Sequence, residues 1–433
     1  MSSGMIHKVK GMSPLLQTGL AFQHLLAVFA GTVFVPIVTG LSVSVALFFS
    51  GVATLVFHFF TRGKMPLYYG SSFTMLAGMV FIRQSCVARG MSEDMALSYV
   101  SFGVFIIGIV CVIVAQLLRR VSNVAIKRIF PPVVTGSFIV ALGIDMLFSS
   151  TANISVSPLV GVITIAVLIG AMVLSRGVIG LMSINLSVVI AVVYVALIDG
   201  IDISRVVEAE WIHQPFTRKN IAFGILEDYD PEMLRLAIMT SLPFAFITVA
   251  EHITDVLAVS RTVGIDYMKT VGLPRTLSAN GLGTTLGAVF GAPPSTAYTQ
   301  TTGLLSLNRI CDPWLLRLCA IMMILLSFSP KLSAMIGVIP IAAIGGITQV
   351  MYCMVIWVGI RTLYAKGKKT LTLRSVLIVL AVLGITVYIK FYHSGNIDVM
   401  GVDLSSLVVA WAVGVLLNII IPEKKERKDG QTT

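Results

Sequence analysis

Charged residues are scarce in this sequence. Asp, Glu, Lys and Arg make up only 12% of the 433 residues, whereas 56% are hydrophobic and the mean hydropathy is +0.94. A soluble fold cannot absorb that much apolar surface, and apolar runs of membrane-spanning length recur along the chain. Strand-like alternation is absent, which argues against a barrel. The sequence therefore predicts an all-α polytopic membrane protein.

Several chemical signatures are also missing. The five cysteines form no CxxC pair and lie mostly in apolar runs, so the sequence indicates neither a disulfide framework nor a metal site. No HExxH or GxSxG motif occurs, and Ser71, Asp255 and His24 lie on separate segments with no spacing that implies a catalytic triad. We expect no enzyme activity, no metal and no cofactor.

The net charge of +11 does not indicate a nucleic-acid-binding protein, because the Lys and Arg residues fall mainly in alternate loops. This asymmetry is typical of a membrane protein whose more positive loops face the cytoplasm. It predicts an even number of spans and two cytoplasmic termini in the cytoplasmic membrane. The short polar start, Met1 to Gly11, leads into the first span and is not expected to be a removable signal.

Hydropathy predicts fourteen spans, some of them too short to be simple helices. The long connection from Asp199 to Arg235 is predicted to lie outside and to separate two groups of seven, and the tail from Pro422 to Thr433 is predicted to be cytoplasmic. The predicted spans are Leu15–Gly40, Ser42–Phe60, Leu67–Ile82, Leu97–Leu118, Pro131–Phe148, Leu159–Leu174, Ile179–Ile198, Leu236–Ser260, Thr276–Phe290, Ser295–Leu307, Trp314–Ser329, Leu332–Val358, Leu373–Lys390 and Leu404–Ile421.

Two stretches break helical rules at comparable places in the two halves, Met65–Phe73 and Gly291–Gln300. Pro293 and Pro294 remove two amide donors, and Pro294 biases its predecessor toward extended backbone. Non-helical backbone at membrane depth is tolerated only where protein or a cavity surrounds it. Interrupted segments at matching positions therefore point to a transporter's midplane site, and the positive ends of the helices that follow them would face a polar ligand.

An acidic residue lies deep inside the eighth span. Glu251 is roughly 15 Å from the cytoplasmic end of Leu236–Ser260, near the middle of the hydrocarbon layer. An acid there costs about 2.5 to 3.5 kcal/mol, so such residues usually face an interior or cavity and bind something. Asp255 is four residues on and shares the Glu251 face, whereas His252 points about 100° away and is expected to pack.

Further candidates follow the double proline, in the polar run Ser295–Thr302 that no lipid-facing helix would carry. The Gln300 amide offers both a donor and an acceptor, which suits a planar heterocycle, and Tyr298 lies beside it. Phe73 is a candidate for stacking on such a ring, although packing is the commoner role of Phe. His24 is by default a hydrogen-bonded interior histidine.

Motifs in five segments point to one family of transporters. They are Leu15-Leu16-Gln17-Thr18 and Gln23-His24-Leu25 in the first segment, Gly70-Ser71-Ser72-Phe73 in the third, Ala250-Glu251-His252 in the eighth, Ser278-Ala279-Asn280-Gly281-Leu282 in the ninth and Gly345-Gly346 through Tyr352 to Gly359-Ile360-Arg361 in the twelfth. Through these motifs the sequence resembles the nucleobase-ascorbate transporter family, most closely bacterial uracil and xanthine permeases, over nearly its whole length.

The tenth segment, Gln300 to Arg309, is similar to the family signature of Gln, Glu or Pro, then Asn, any residue, Gly, four residues of any kind, Thr, and Arg, Lys or Gly. Here Thr301 replaces the Asn and Asn308 replaces the Thr. The family assignment stands despite these two departures.

The resemblance implies two inverted seven-segment repeats and a homodimer that takes up a nucleobase with a proton. It implies a core domain of residues 1–125 (segments 1 to 4) and 236–331 (8 to 11), and a gate domain of residues 126–235 (5 to 7) and 332–433 (12 to 14, with the tail). The substrate-binding residues implied are Phe73, Glu251, Asp255, Tyr298, Thr299, Gln300 and Tyr352. Proton coupling falls on Glu251, with Asp255 and His24 as relays, and site support falls on Asn280, Ser71, Ser72 and Thr301.

Two positions bear on the substrate. Asp255 stands where the uracil permeases have His, and Gln300 stands where they have a second Glu; both are similar to xanthine and urate members. We therefore expect an oxopurine, although Asn280 matches the uracil type. The alternatives are uracil or ascorbate transport and, from another class, an anion exchanger or channel, which acids at the centre of the site disfavour.

Overall fold

A computed structural model describes residues 8–9, 11–120, 132–175, 177–216, 220–364, 372–393, 396–399 and 402–421, and this part of the chain is mostly helical. The α-helices are α1 Pro14–Thr39, α2 Val43–Phe60, α3 Leu76–Ala88, α4 Glu93–Leu118, α5 Pro132–Ser155, α6 Pro158–Leu174, α7 Val178–Leu181, α8 Ser183–Ile198, α9 Ser204–Glu208, α10 Pro231–Val263, α11 Leu273–Val289, α12 Thr299–Asn308, α13 Pro313–Ser327, α14 Pro330–Gly337, α15 Ile341–Leu363, α16 Leu373–Tyr392 and α17 Ser406–Ile420. The strands are β1 Tyr69–Ser71, β2 Ser295–Ala297, β3 Asn396–Val399 and β4 Val402–Ser405, and there are a 3₁₀-helix, Ala222–Leu226, and a π-helix, Met268–Gly272.

Seven helices in the described ranges are long and apolar enough to cross a membrane, by length and composition. They are α1, α2, α4, α5, α10, α15 and α16. Helices α13 and α14 form an eighth candidate, as a pair bent by 83°, and α3, α6, α8 and α17 are shorter apolar helices. A polytopic helical membrane protein is therefore confirmed, whereas the fourteen spans, the inverted repeat and the side on which the termini lie stay predictions.

Helix α10 has well-defined ends. Its first residue is Pro231, and the Asp230 carboxylate accepts hydrogen bonds from the N–H groups of Glu232 and Met233 at 2.8 and 3.3 Å, which satisfies free donors of the first turn. Gly264 ends the helix in the left-handed region at φ 78°. Between these ends α10 runs for 33 residues, and Glu251 lies about 18 Å from Val263 along the axis.

Two predicted spans are each divided between two helices. Ile179–Ile198 covers part of α7 and all of α8. Leu332–Val358 contains parts of α14 and α15, with a break before Ile341. Pro340 lies in that break, where it lacks an amide donor and disfavours helical backbone at the residue before it. The predicted cytoplasmic tail, 422–433, lies outside the described residues.

The chain divides into two compact units, Met1–Ile126 with Leu147–Met351 and Lys127–Met146 with Tyr352–Thr433. In the first unit, α4 and α11 approach each other at Gly108 and Gly281, where a Cβ on Gly281 would lie 2.8 Å from the Gly108 carbonyl oxygen. Helices α2 and α13 do the same at Gly51, where a Cβ would lie 2.5 Å from the Ala320 oxygen. Small residues allow this close approach of helix backbones.

The second unit is held by α16 and α17, which pack together, and by β3 and β4, which form an antiparallel pair. The Lys390 Nζ on α16 lies 3.1 Å from Asp145 Oδ1 on α5. At the other end of α16, the Arg374 guanidinium donates to the Asn418 carbonyl of α17 at 2.8 Å. The core and gate boundaries implied by the resemblance stay a prediction.

Candidate functional site

The two interrupted stretches meet as a two-stranded antiparallel sheet. Tyr69 lies opposite Ala297, Gly70 opposite Thr296, and Ser71 opposite Ser295. Backbone bonds extend the pairing, from the Ser72 N–H to the Pro294 oxygen at 2.7 Å and from the Tyr298 N–H to the Tyr68 oxygen at 2.9 Å. The prediction of extended backbone at these two positions is confirmed, and the structure brings the two stretches together.

Helices α1 and α2 hold β1 in place. Pro36 in α1 has no N–H, which leaves the Thr32 carbonyl without its helical donor, and the Ser71 hydroxyl donates to that carbonyl at 2.7 Å. From α2, the Thr54 hydroxyl accepts the Tyr69 N–H at 2.9 Å. The Tyr69 N–H of this short strand is thus satisfied by α2, and the carbonyl that Pro36 leaves unpaired in α1 is satisfied by the strand.

Helix α11 holds β2 in a similar way. The Thr284 hydroxyl accepts the Ser295 N–H at 3.2 Å, and the Ser295 hydroxyl donates to the Asn280 side-chain oxygen at 3.2 Å. Asn280, for which the family resemblance implies a supporting role, therefore contacts the second interrupted stretch directly.

Glu251 lies where these two stretches meet. The Thr74 hydroxyl, three residues beyond β1, donates to Glu251 Oε2 at 2.7 Å. Thr296, in the middle of β2, lies beside the same carboxyl group. Glu251 itself is partly exposed, whereas both threonines are buried. A carboxylate accepts about four hydrogen bonds, so this one retains capacity for a ligand.

The next turn of α10 contains Asp255 and His252, and both are buried. Asp255 Oδ2 has no hydrogen-bond partner within the described part of the chain. The His252 ring lies between the Thr276 hydroxyl, at 3.0 Å from Nε2, and the Tyr69 hydroxyl, at 3.4 Å from Nδ1. His252 is thus a hydrogen-bonded packing residue, as predicted.

Tyr298 lies in a slot whose walls are glycine backbone. A Cβ on Gly70 would lie 2.5 Å from the Tyr298 ring, and one on Gly31 of α1 would lie 2.9 Å from it. Its hydroxyl donates to the Ser71 carbonyl at 2.9 Å, and its side chain is 4% exposed. The phenol therefore ties α1, β1 and the start of α12 together, and a direct contact with the substrate stays a prediction.

Three predicted contact residues are at least partly exposed. Phe73 immediately precedes Thr74, is partly exposed, and stacks on Phe34 of α1 with ring centroids 6.0 Å apart. Thr299 and Gln300 are the first two residues of α12, and they are exposed and partly exposed. The N–H groups of a first helical turn lack helical acceptors and favour a polar ligand.

The other predicted residues have diverse surroundings. His24 is buried on α1, and its Nδ1 has no hydrogen-bond partner in the ranges that the structure describes. The Thr301 hydroxyl donates to the Tyr298 carbonyl at 2.7 Å, and the Ser72 hydroxyl lies 3.0 Å from that of Thr74. Tyr352 belongs to the second unit, where it is buried on α15.

Thr74 and Thr296 were not identified from the sequence. Thr296 was included only in the polar run after the double proline, where hydroxyl groups are expected to cap the broken helix. The sequence shows a threonine at each interruption. That both threonines lie beside Glu251 depends on the pairing of two strands that are distant in sequence.

Comparison with known proteins identifies the family. The sequence model of the Permease family (Xan_ur_permease) matches residues 17–395. The uracil permease of Bacillus caldolyticus is 29% identical over 421 residues, which cover 94% of this chain and 92% of that protein. The uracil permease of Bacillus subtilis (strain 168) is 28% identical over 436 residues, which cover 96% and 95%.

A solved structure is similar over the same extent. The transmembrane domain of the cyanobacterium bicarbonate transporter BicA aligns with a TM-score of 0.63 and 14% identity, and covers 97% of this chain and 100% of that one. At this identity the likeness shows the fold alone. The family match includes both interrupted stretches and the Glu251 helix, and the chain therefore belongs to this permease family, the nucleobase-ascorbate transporters, and is a membrane transporter and not an enzyme.

Proposed function

We propose that this chain takes up uracil, or a closely similar oxopyrimidine, together with a proton by alternating access across the cytoplasmic membrane. The observation that carries the proposal is the Glu251 carboxylate, which is partly exposed and held where the two interrupted stretches pair. Relatives named uracil permease, similar over nearly the whole chain, support the pyrimidine. They favour uracil over the oxopurine expected from two site positions.

The roles of the site residues follow from what a flat oxopyrimidine offers. Its ring N–H groups need acceptors, and Glu251 supplies a carboxylate. Its exocyclic oxygens need donors, which the Gln300 amide and the free backbone N–H groups at the start of α12 supply. Phe73 offers a ring face for stacking, beside the residue that bonds Glu251.

Proton coupling is assigned to Glu251, because the Gln300 amide does not titrate. Asp255, one turn along α10, and His24 on α1 are the proposed relays. No hydrogen bond joins His24 to either acid within the described residues, so a relay through His24 requires an intervening water or a change of conformation. The homodimer and the core and gate domains belong to this proposal as implications of the family, and the cytoplasmic termini belong to it as an inference from the distribution of positive charge.

An oxopurine is the second candidate. It is favoured by the acid at position 255 and the amide at position 300, which together resemble the xanthine and urate members. Asp255 is buried with Oδ2 unpartnered within the described ranges.

A thermal-shift panel on the purified protein separates these candidates. We expect uracil to raise the melting temperature most among uracil, xanthine, urate, guanine, ascorbate and bicarbonate. A ligand at 100 times its Kd stabilises the folded state by about 2.7 kcal/mol, enough for a clear shift. Stabilisation by xanthine or urate without uracil would establish the second candidate. Stabilisation by bicarbonate alone would contradict nucleobase transport.

A further inference from the structure

Two threonine side chains, one from each interrupted stretch, lie at the carboxyl group of Glu251, and the Thr74 hydroxyl donates a hydrogen bond to it. Thr74 follows β1 and Thr296 lies in β2, and they are 8% and 7% exposed. Glu251 comes from a third element, α10. The acid therefore bonds to the residue that follows β1 and lies beside β2, so its surroundings depend on the pairing of the two strands.

Hydroxyl groups suit an acid that changes its protonation state. A hydroxyl donates to an ionised carboxylate and, after rotation, accepts from a protonated one. The Thr74 hydroxyl also lies 3.0 Å from the Ser72 hydroxyl, and the Ser72 N–H is fixed by the Pro294 oxygen at 2.7 Å. Either hydroxyl of that pair can act as the donor, so Thr74 retains a partner in both orientations.

From this geometry we propose that Thr74 and Thr296 are positioning residues for Glu251, which fix the direction of its carboxyl group toward the nucleobase. This inference rests on the proposed function and adds to it the two threonines that orient the Glu251 carboxyl group. They act through Glu251 and need no contact with the substrate. A hydrogen bond to a charged acceptor is stronger than one to a neutral acceptor. We therefore expect its loss to weaken nucleobase binding strongly.

Valine is close to threonine in shape and lacks the hydroxyl. Thr74→Val therefore removes the hydrogen bond to Glu251, Thr296→Val removes the hydroxyl beside it, and both keep the packing. We expect each to raise the Kd of labelled uracil, and the KM of uptake in proteoliposomes, by about tenfold or more. Thr74→Ser and Thr296→Ser keep the hydroxyl and are expected to stay within about threefold of the parent.

Thr254→Val is the matched control. Thr254 lies on the same helix, is exposed, and bonds only to the Ala250 carbonyl of its own helix at 3.1 Å among the contacts described. We expect it to bind uracil as the parent does. Equal Kd values for Thr74→Val, Thr296→Val and Thr254→Val, with Glu251→Gln inactive, would overturn the positioning role and leave the proposed function standing.

An infrared measurement tests the positioning role without any ligand. The carboxyl band of Glu251 is identified as the band that Glu251→Gln removes. We expect Thr74→Val and Thr296→Val to shift that band and Thr254→Val to leave it in place. An unshifted band in both valine variants would overturn the inference, whereas failure of uracil to bind the unmodified protein would overturn the proposed function alone.

Discussion

Gly108→Ala is expected to destabilise the folded protein severely, lowering its melting temperature in detergent and its yield of monodisperse material. Gly108 lies where α4 meets α11, and a Cβ there would overlap the Thr285 side chain and lie 2.7 Å from the Thr285 backbone nitrogen. Overpacking costs typically about 1 to 3 kcal/mol, and a rigid helix backbone relaxes less than a side chain. Displacement of α11 would also move Asn280 and Thr284, which hold β2.

Gly170→Ala is the matched control for this prediction. Gly170 is also inside an apolar helix, α6, but a Cβ there has no neighbouring atom within 4 Å. Alanine is favoured over glycine in a helix, so this variant should be as stable as the parent or slightly more stable. Equal melting temperatures for the two variants would contradict the close approach of α4 and α11.

Lys390→Met is expected to destabilise the second unit by about 3 kcal/mol, because it removes a positive charge that is paired with a buried carboxylate. Lys390 Nζ lies 3.1 Å from Asp145 Oδ1, and the side chains are 29% and 8% exposed. Charged residues inside membrane segments are expensive unless they are paired. The melting temperature of the purified protein measures the effect.

The double variant Asp145→Asn with Lys390→Met provides the control for this pair. Removal of both charges leaves neither one uncompensated, so the double variant should be more stable than Lys390→Met alone. Additive losses from Asp145→Asn and Lys390→Met would show that the two side chains are not coupled, and would contradict the ion pair.

The positions that the sequence singled out and that the structure brings together are those that depart from the pattern of their own segment. Glu251 is an acid in an apolar span, and Pro293 with Pro294 interrupts one, so each departs from the pattern of its own segment. The structure places both features at one sheet. The site residues that the sequence did not reveal, such as Thr74 and Thr296, depend on contacts between distant segments.

Tyr298 illustrates the same limit. Next to Gln300 in a polar run, its ring is a natural candidate for contact with a ligand. The structure buries the phenol against Gly31 and Gly70, which lie far from it in sequence, and contact with a ligand stays a prediction. A glycine indicates close approach, but only the folded chain shows which group approaches.

The substrate depends on which positions are given weight. Asp255 and Gln300 alone favour an oxopurine, whereas similarity over the whole chain favours uracil. Two side chains describe part of a ligand's hydrogen-bonding pattern, and the shape of the pocket depends on many more residues. Whole-chain similarity therefore determines our choice of uracil.

Binding of labelled uracil to the Glu251→Gln variant tests the central claim most directly. Glutamine keeps the size and polarity of the side chain but lacks the charged acceptor, so we predict that uracil binding is lost while the melting temperature without ligand stays close to that of the parent. If Glu251→Gln binds uracil with the affinity of the unmodified protein, that result would contradict the role of Glu251 as the hydrogen-bond acceptor for the nucleobase.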